Sequence, residues 1–191
     1  MQRIGLFGGS FDPVHTGHLL LAQAAMEELS LVRLFFILAA QSPFKQGNQF
    51  APAAARMQCL RLALAGKSNC EVDDQEITRG GVSYTIDTVR DYARRFPEAQ
   101  RFYLIGADNV AGLPKWRAAE ELAELTEFAV IPRPGEAPTP LPPPFRGQIL
   151  QGFPFGVSAS QIRARIQAGQ SIDQLVPAAV AEALVNNRLY L

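Results

Sequence analysis

His15 and His18 are the only two histidines in the 191-residue chain. They stand three residues apart in the stretch Gly8-Gly9-Ser10-Phe11-Asp12-Pro13-Val14-His15-Thr16-Gly17-His18. Residues 4–7 are apolar and read as a buried strand, and residues 19–29 read as a helix. The stretch is therefore a strand-to-helix turn with both imidazoles at or just before a helix start. The N–H groups and partial positive charge at a helix N-terminus attract phosphate. Gly8 and Gly9 let the backbone approach a ligand closely or adopt positive φ. Two imidazoles added to such a turn suggest a grip on a phosphate chain.

Other readings of the turn are weaker. It contains neither G-x-G-x-x-G nor G-x-x-x-x-G-K-[ST]. Zinc needs more ligands than H-x-x-H supplies, no H-E-x-x-H is present, and the two cysteines, Cys59 and Cys70, are far away in sequence. The bland alternative is a Gly-rich turn whose histidines cap a helix.

The elements that must position these residues alternate. Residues 32–39 read as a second buried strand, so the chain opens with a βαβ unit, which favours a parallel sheet. Lys45 follows that strand and reads either as a phosphate contact or as a solvated surface lysine. Residues 53–65 have helical spacing with Arg56 in the first turn, either reaching the site or solvated. Residues 70–73 read as a short strand. After Gly80 and Gly81, Ser83 is placed to cap a helix from Tyr84 toward Arg95. Residues 101–105 form the next strand, followed by Gly106 and Asp108; Asp108 suits either ribose hydroxyls or a helix N-cap. Trp116, the only tryptophan, either stacks on a flat ring or fills the core. Residues 127–131 make another strand, with Arg133 just beyond its end.

Residues 132–144 hold seven of the fourteen prolines and read as a stiff connector, with an edge strand over 147–151. Ser158 or Ser160 caps a helix that carries Arg163. Residues 171–191 form a C-terminal helical portion, with Pro177 suited to the first turn of a helix through Asn186.

The opening stretch resembles the G-x-F-D-P-x-H-x-G-H signature of the nucleotidylyltransferase superfamily. Later segments resemble its bacterial nicotinate-nucleotide adenylyltransferase family. These are Glu76-x-x-Arg79 with Ser83-Tyr84-Thr85-x-Asp87-Thr88, then Trp116, Arg133-Pro134-Gly135, and Val157-Ser158-Ala159-Ser160-Gln161-Ile162-Arg163. One departure is Phe44, where that family usually carries the histidine of Pro-x-His-Lys. The resemblance implies an α/β fold: a Rossmann-like parallel sheet flanked by helices, with a small helical C-terminal portion, in one domain over 1–191. It implies adenylyl transfer from ATP to nicotinate mononucleotide, with Mg2+ held mainly by the ATP phosphates and no dedicated metal site in the protein. His15, His18 and Arg163 would be catalytic. ATP would meet Gly8, Gly9, Ser10, Phe11, His15, His18, Lys45, Gly106, Asp108, Arg133, Ser158 and Arg163. Nicotinate mononucleotide would meet Ser10, Tyr84, Thr85 and Trp116, its carboxylate facing the backbone amides of the Tyr84-Thr85 turn. The alternatives are a relative acting on nicotinamide mononucleotide or phosphopantetheine, or a nucleotide-binding regulator without turnover.

Composition fits this picture. The chain has 18 Lys+Arg against 18 Asp+Glu, which gives no support for binding a nucleic acid polymer. Two cysteines make no disulfide framework, so a cytoplasmic setting is expected. No apolar run is long enough for a membrane span, and glycines break the first apolar run too early for a signal peptide.

Overall fold

The computed structural model describes residues 1–41, 50–132, 139–153 and 155–191. Among these residues six strands form one sheet: β1 (Arg3–Gly9), β2 (Arg33–Leu38), β3 (Cys70–Asp73), β4 (Gln100–Gly106), β5 (Glu127–Ile131) and β6 (Gly147–Ile149). Their order is β3-β2-β1-β4-β5-β6, and every pairing is parallel. The sheet is parallel, as the opening βαβ unit favours, and Rossmann-like, as the resemblance implies. The order reverses between β1 and β4, and in such sheets ligands bind beyond the strand C-termini at this point.

The helices are α1 (Thr16–Glu28), α2 (Ala53–Leu64), α3 (Gln75–Arg79), α4 (Thr85–Arg95), α5 (Ala119–Leu125), α6 (Ala159–Gln167) and α7 (Ala178–Asn186), with a 3₁₀ helix over Ala107–Lys115. They cover both faces, so the strands are apolar on both sides, as parallel sheets require. Side chains alternate across β2: Leu34, Phe36 and Leu38 join one core, and Phe35 and Ile37 join the other. The first core includes residues of α1, α2, α6 and α7; the second includes residues of α4, α5 and the 3₁₀ helix. No helix among the described residues is long and apolar enough to cross a membrane.

Register opens the site. The pairing of β1 with β2 runs on to Gly9 and Leu38, whereas its pairing with β4 ends at Leu6 and Tyr103. Gly8 and Gly9 therefore lie in β1 without a β4 partner, and neither has a positive φ. Their need for glycine is space. A Cβ on Gly8 would meet the Tyr103 hydroxyl, and one on Gly9 would lie 3.0 Å from the Phe11 ring. The left-handed turn belongs to Phe11, with φ 43°.

Two local expectations need correction, and one short helix is unannounced. Ser83 does not cap α4. The N-cap is Tyr84 and no side chain caps it, because the Ser83 hydroxyl accepts from the Ala40 N–H at 3.0 Å instead. The segment before the glycine pair forms the short helix α3, which five residues of sequence are too few to announce by periodicity. Pro177 is the N-cap of α7, one residue ahead of its first turn.

Candidate active site

Spacing of three on a helix puts two side chains on one face. His15 is the N-cap of α1 and His18 lies in its first turn, and their rings stack at 3.7 Å with planes 30° apart. Gly17 makes this possible, since a Cβ there would sit 3.0 Å from His15 Nδ1. The His15 backbone N–H donates to His18 Nδ1 at 3.2 Å. In the neutral ring the His18 proton is therefore on Nε2, which makes that nitrogen the donor. Phe11 packs edge-on against His18 at 5.0 Å and touches Phe7 and Phe36. Its side chain is thus a buried wall holding the imidazole.

Burial lowers the pKa of His15 to about 4. Its Nδ1 is buried without a hydrogen-bond partner among the described residues. The ring is neutral at pH 7, which removes like-charge repulsion from the stack. The sign for stability follows. The unfolded chain takes up a proton near pH 6.5 and the folded protein does not until about pH 4, so stability falls as pH drops between these values. Urea unfolding at pH 7 and pH 4.5 is expected to show His15→Gln losing less stability than the parent chain, by up to about 3 kcal/mol. Identical losses would show that His15 does not titrate in this way.

The loop between β1 and α1 is held from beneath by Arg56, which is only 4% exposed. Its guanidinium donates to the carbonyls of Ala51 (2.9 Å), Ser10 (2.8 Å) and Ala39 (3.0 Å). It neither reaches into a cleft as a ligand contact nor points to solvent, the two options left open by sequence. Asp12, 3% exposed, accepts from the Ala51 N–H and from the Tyr190 hydroxyl.

Two clefts open at this point. The first, about 460 Å³, is lined by Gly8, Gly9, Ser10, Glu76, Ser83, Thr85, Gly106, Asp108 and Trp116, among others. The second, about 660 Å³, is lined by Gly9, Ser10, Phe11, His15, His18, Ser158, Ser160 and Arg163, among others. Gly9 and Ser10 belong to both, so two ligands bound here would meet across the end of β1.

The second cleft brings the mouths of two helices together. Ser158 is the N-cap of α6, its hydroxyl accepting from the Gln161 N–H while Gln161 Oε1 accepts from the Ser158 N–H. Arg163 reaches back to donate to the Asp12 carbonyl at 2.8 Å. Ser158 and Arg163 are five positions apart yet line one cleft.

The first cleft is built on the α4 mouth. Glu76, 4% exposed, accepts from the Thr88 hydroxyl at 2.5 Å and from the Ser83 side chain. Burial raises its pKa, with Thr88 and Ser83 pulling the other way. This network turns Ser83 away from the helix and leaves the α4 mouth facing the cleft with Thr85. The Tyr84 side chain lies beneath the Arg117 guanidinium at 4.7 Å, so Tyr84 contributes its backbone position. Trp116 lies on the cleft wall and packs edge-on to Phe128 at 6.4 Å. It therefore touches both cleft and core. Gly106 and Asp108 line this cleft and not the histidine cleft; Asp108 is inside the 3₁₀ helix, not its N-cap. Lys45, with Phe44, and Arg133 lie outside the described residues. Among the described residues no group of three or more His, Cys, Asp or Glu side chains is placed to hold a metal ion.

Sequence reasoning does not assign Asp12, Glu76 or Tyr190, and leaves Arg56 open. Arg56 carries a signal: it shares the buried stripe of α2 with Leu60, Ala63 and Leu64, where an unpaired charge would be costly. Tyr190 carries none.

An all-parallel sheet with ligand clefts at its switch point, and a histidine pair at the first helix mouth, defines a Rossmann-like nucleotide-binding protein. A cytidylyltransferase-like family model matches residues 6–165. The chain is 39% identical to the probable nicotinate-nucleotide adenylyltransferase of Bacillus licheniformis, covering 100% of this chain and 99% of that one. It is 41% identical to the protein of the same description from Thermus thermophilus, covering 99% and 100%. A solved Plasmodium falciparum nicotinic acid mononucleotide adenylyltransferase complexed with NaAD superposes with a TM-score of 0.81 at 16% identity, covering 100% and 98%. The chain belongs to the cytidylyltransferase-like family and, within it, to the nicotinate-nucleotide adenylyltransferases.

Proposed function

We propose that this chain is a nucleotidyltransferase of NAD biosynthesis that moves the adenylyl group of ATP onto nicotinate mononucleotide. A phosphate oxygen of nicotinate mononucleotide attacks the α-phosphorus of ATP in line. The new P–O bond forms as the bond from the α-phosphorus to the α,β-bridging oxygen breaks, giving nicotinate adenine dinucleotide and pyrophosphate. No covalent intermediate with the protein is needed; the work is positioning and charge stabilisation.

The observation that carries this reading is the pair of clefts sharing Gly9 and Ser10. ATP phosphates would take the side with His15, His18, Ser158 and Arg163. His18 Nε2 and the two helix mouths supply donors where charge collects on the leaving pyrophosphate. Phe11 supports that wall, whereas Gly8, Gly106 and Asp108 line the other cleft, so ATP would meet them only where it crosses the end of β1 at Gly9 and Ser10. Lys45 and Arg133 are proposed as further ATP contacts on the strength of their motifs. The nicotinate nucleotide would take the other side, its carboxylate at the uncapped α4 mouth near Tyr84 and Thr85 and its ring on Trp116. A helix mouth favours an anion over a neutral amide, which favours the acid over nicotinamide mononucleotide.

Mg2+ would arrive on the triphosphate, held by phosphate oxygens and water. Asp12 is a poor candidate to hold it, because it is almost wholly buried and its Oδ1 already accepts from Ala51 and Tyr190. The free thiols Cys59 and Cys70 suit a reducing, cytoplasmic setting.

The test is whether ATP, Mg2+ and nicotinate mononucleotide yield dinucleotide and pyrophosphate in equal amounts; binding without product would overturn the proposal. Trp116→Ala is expected to raise KM for the nicotinate nucleotide about 10- to 100-fold, the worth of one stacked ring, with KM for ATP little changed. Equal rises in both would make Trp116 a packing residue.

A further inference from the structure

The segment after α6 returns to the histidine turn at two places. At the start of α1, the Thr16 N–H donates to the Leu175 carbonyl at 2.9 Å and its hydroxyl to the Gln174 carbonyl at 3.0 Å. At Asp12, the Tyr190 hydroxyl donates to Oδ1 at 2.6 Å. Arg188 and Tyr190 both have left-handed backbones, φ 48° and 67°. Such conformations are costly for residues with side chains and persist where surrounding contacts hold them. The hydroxyl that results is desolvated and pinned to a buried carboxylate, which raises its pKa far above that of a free phenol.

Arg163 meets the same aspartate differently. Its Nη1 donates to the Asp12 main-chain carbonyl at 2.8 Å but stays 3.9 Å from the carboxylate Oδ2. The other carboxylate oxygen, Oδ1, is anchored by Tyr190 and by the Ala51 N–H at 3.1 Å. The arginine is therefore tethered without being drawn into a close ion pair, and it lines the histidine cleft.

We propose that Tyr190 is a positioning residue for ATP: by anchoring Oδ1 of Asp12, its hydroxyl fixes the carboxylate with Oδ2 3.9 Å from Arg163 and leaves the guanidinium directed at the phosphates. This rests on the reading that Arg163 contacts ATP. Without the hydroxyl, the carboxylate is free to turn Oδ2 onto the Arg163 guanidinium, 3.9 Å away. A closed Arg163–Asp12 pair would neutralise the charge that the phosphates need.

The experiment is a double-mutant cycle of Tyr190→Phe and Arg163→Gln, with KM for each substrate and Tm measured for all four proteins. Tyr190→Phe keeps the ring and removes only the hydroxyl. It is expected to raise KM for ATP about tenfold, the scale of one charge-assisted hydrogen bond. KM for nicotinate mononucleotide should stay within about twofold, and Tm should fall by no more than about 4 °C, as for one lost hydrogen bond. In the Arg163→Gln background the same change should have no further effect on ATP, because the two act through one contact. Additive effects, or equal loss for both substrates with a large fall in Tm, would overturn the proposal and make Tyr190 a packing residue. If Arg163→Gln alone leaves KM for ATP unchanged, the reading of Arg163 fails and the proposal falls with it. That result is distinct from one in which Arg163 matters and Tyr190 does not.

Discussion

His18→Ala is expected to lower kcat at least ~100-fold, the cost of removing one preorganised donor to charge that develops in the transition state. The geometry makes the loss specific. His18 Nδ1 accepts from the His15 N–H, so the neutral ring carries its one N–H on Nε2. Phe11 at 5.0 Å and His15 at 3.7 Å fix its plane. A smaller residue leaves no donor in that position, and water entering the gap would not be held in the same orientation. The fold should survive. His18 is half-buried, and its loss removes one backbone bond and the ring contacts with Phe7, Phe11 and His15, about 2 kcal/mol in all. Steady-state kinetics with a thermal melt on the same samples checks both halves. Near-normal kcat in a folded variant would remove His18 from the chemistry.

Arg56→Met should destabilise the fold well beyond the loss of His18. Methionine matches the length and apolar surroundings of the arginine stem but donates nothing. The carbonyls of Ala51, Ser10 and Ala39 would lose their shared partner. Buried acceptors left unsatisfied cost ~1–3 kcal/mol each, so a total of about 3–5 kcal/mol is expected after relaxation. For a chain of this size that is a fall in Tm of roughly 10 °C. Because Ser10 lines both clefts, activity should also fall at temperatures where the variant is still folded, with KM rising for both substrates. Arg56→Lys keeps the charge but not the planar fork, and should recover only part of the loss. Unfolding in urea measures the effect; a change under about 1 kcal/mol would show that the loop does not depend on this arginine.

Much of the site is legible in the sequence because its determinants are local. The strand, the turn with two histidines and the following helix are contiguous, and the i,i+3 spacing alone places both rings on one face. The same holds for Ser158, whose cap is closed by Gln161 three residues on. What escapes the sequence is non-local. Ser83 looks like a cap because Ser before a helix usually is one. Here the β2 end passes alongside, with the Ser83 N–H donating to the Gln41 carbonyl at 2.8 Å, and the Ala40 N–H captures the hydroxyl. The outcome is an α4 mouth that no side chain caps, the place proposed for the carboxylate. Gly8 reads as a residue of close approach to a ligand or of positive φ, but its constraint comes from Tyr103 on β4, a neighbour only after the sheet forms. Asp12 and Tyr190 are separated by 178 positions and meet only once the C-terminal helices have docked. No periodicity or motif signals such a pair.

The most direct test compares initial rates of pyrophosphate release with ATP and Mg2+ against nicotinate mononucleotide, nicotinamide mononucleotide and phosphopantetheine. The account predicts that nicotinate mononucleotide has the highest kcat/KM by a wide margin, because only it places a carboxylate at the α4 mouth. A protein that uses nicotinamide mononucleotide or phosphopantetheine equally well would contradict the assignment of the α4 mouth. One that binds ATP but releases no pyrophosphate with any of the three would contradict the adenylyl-transfer reading itself.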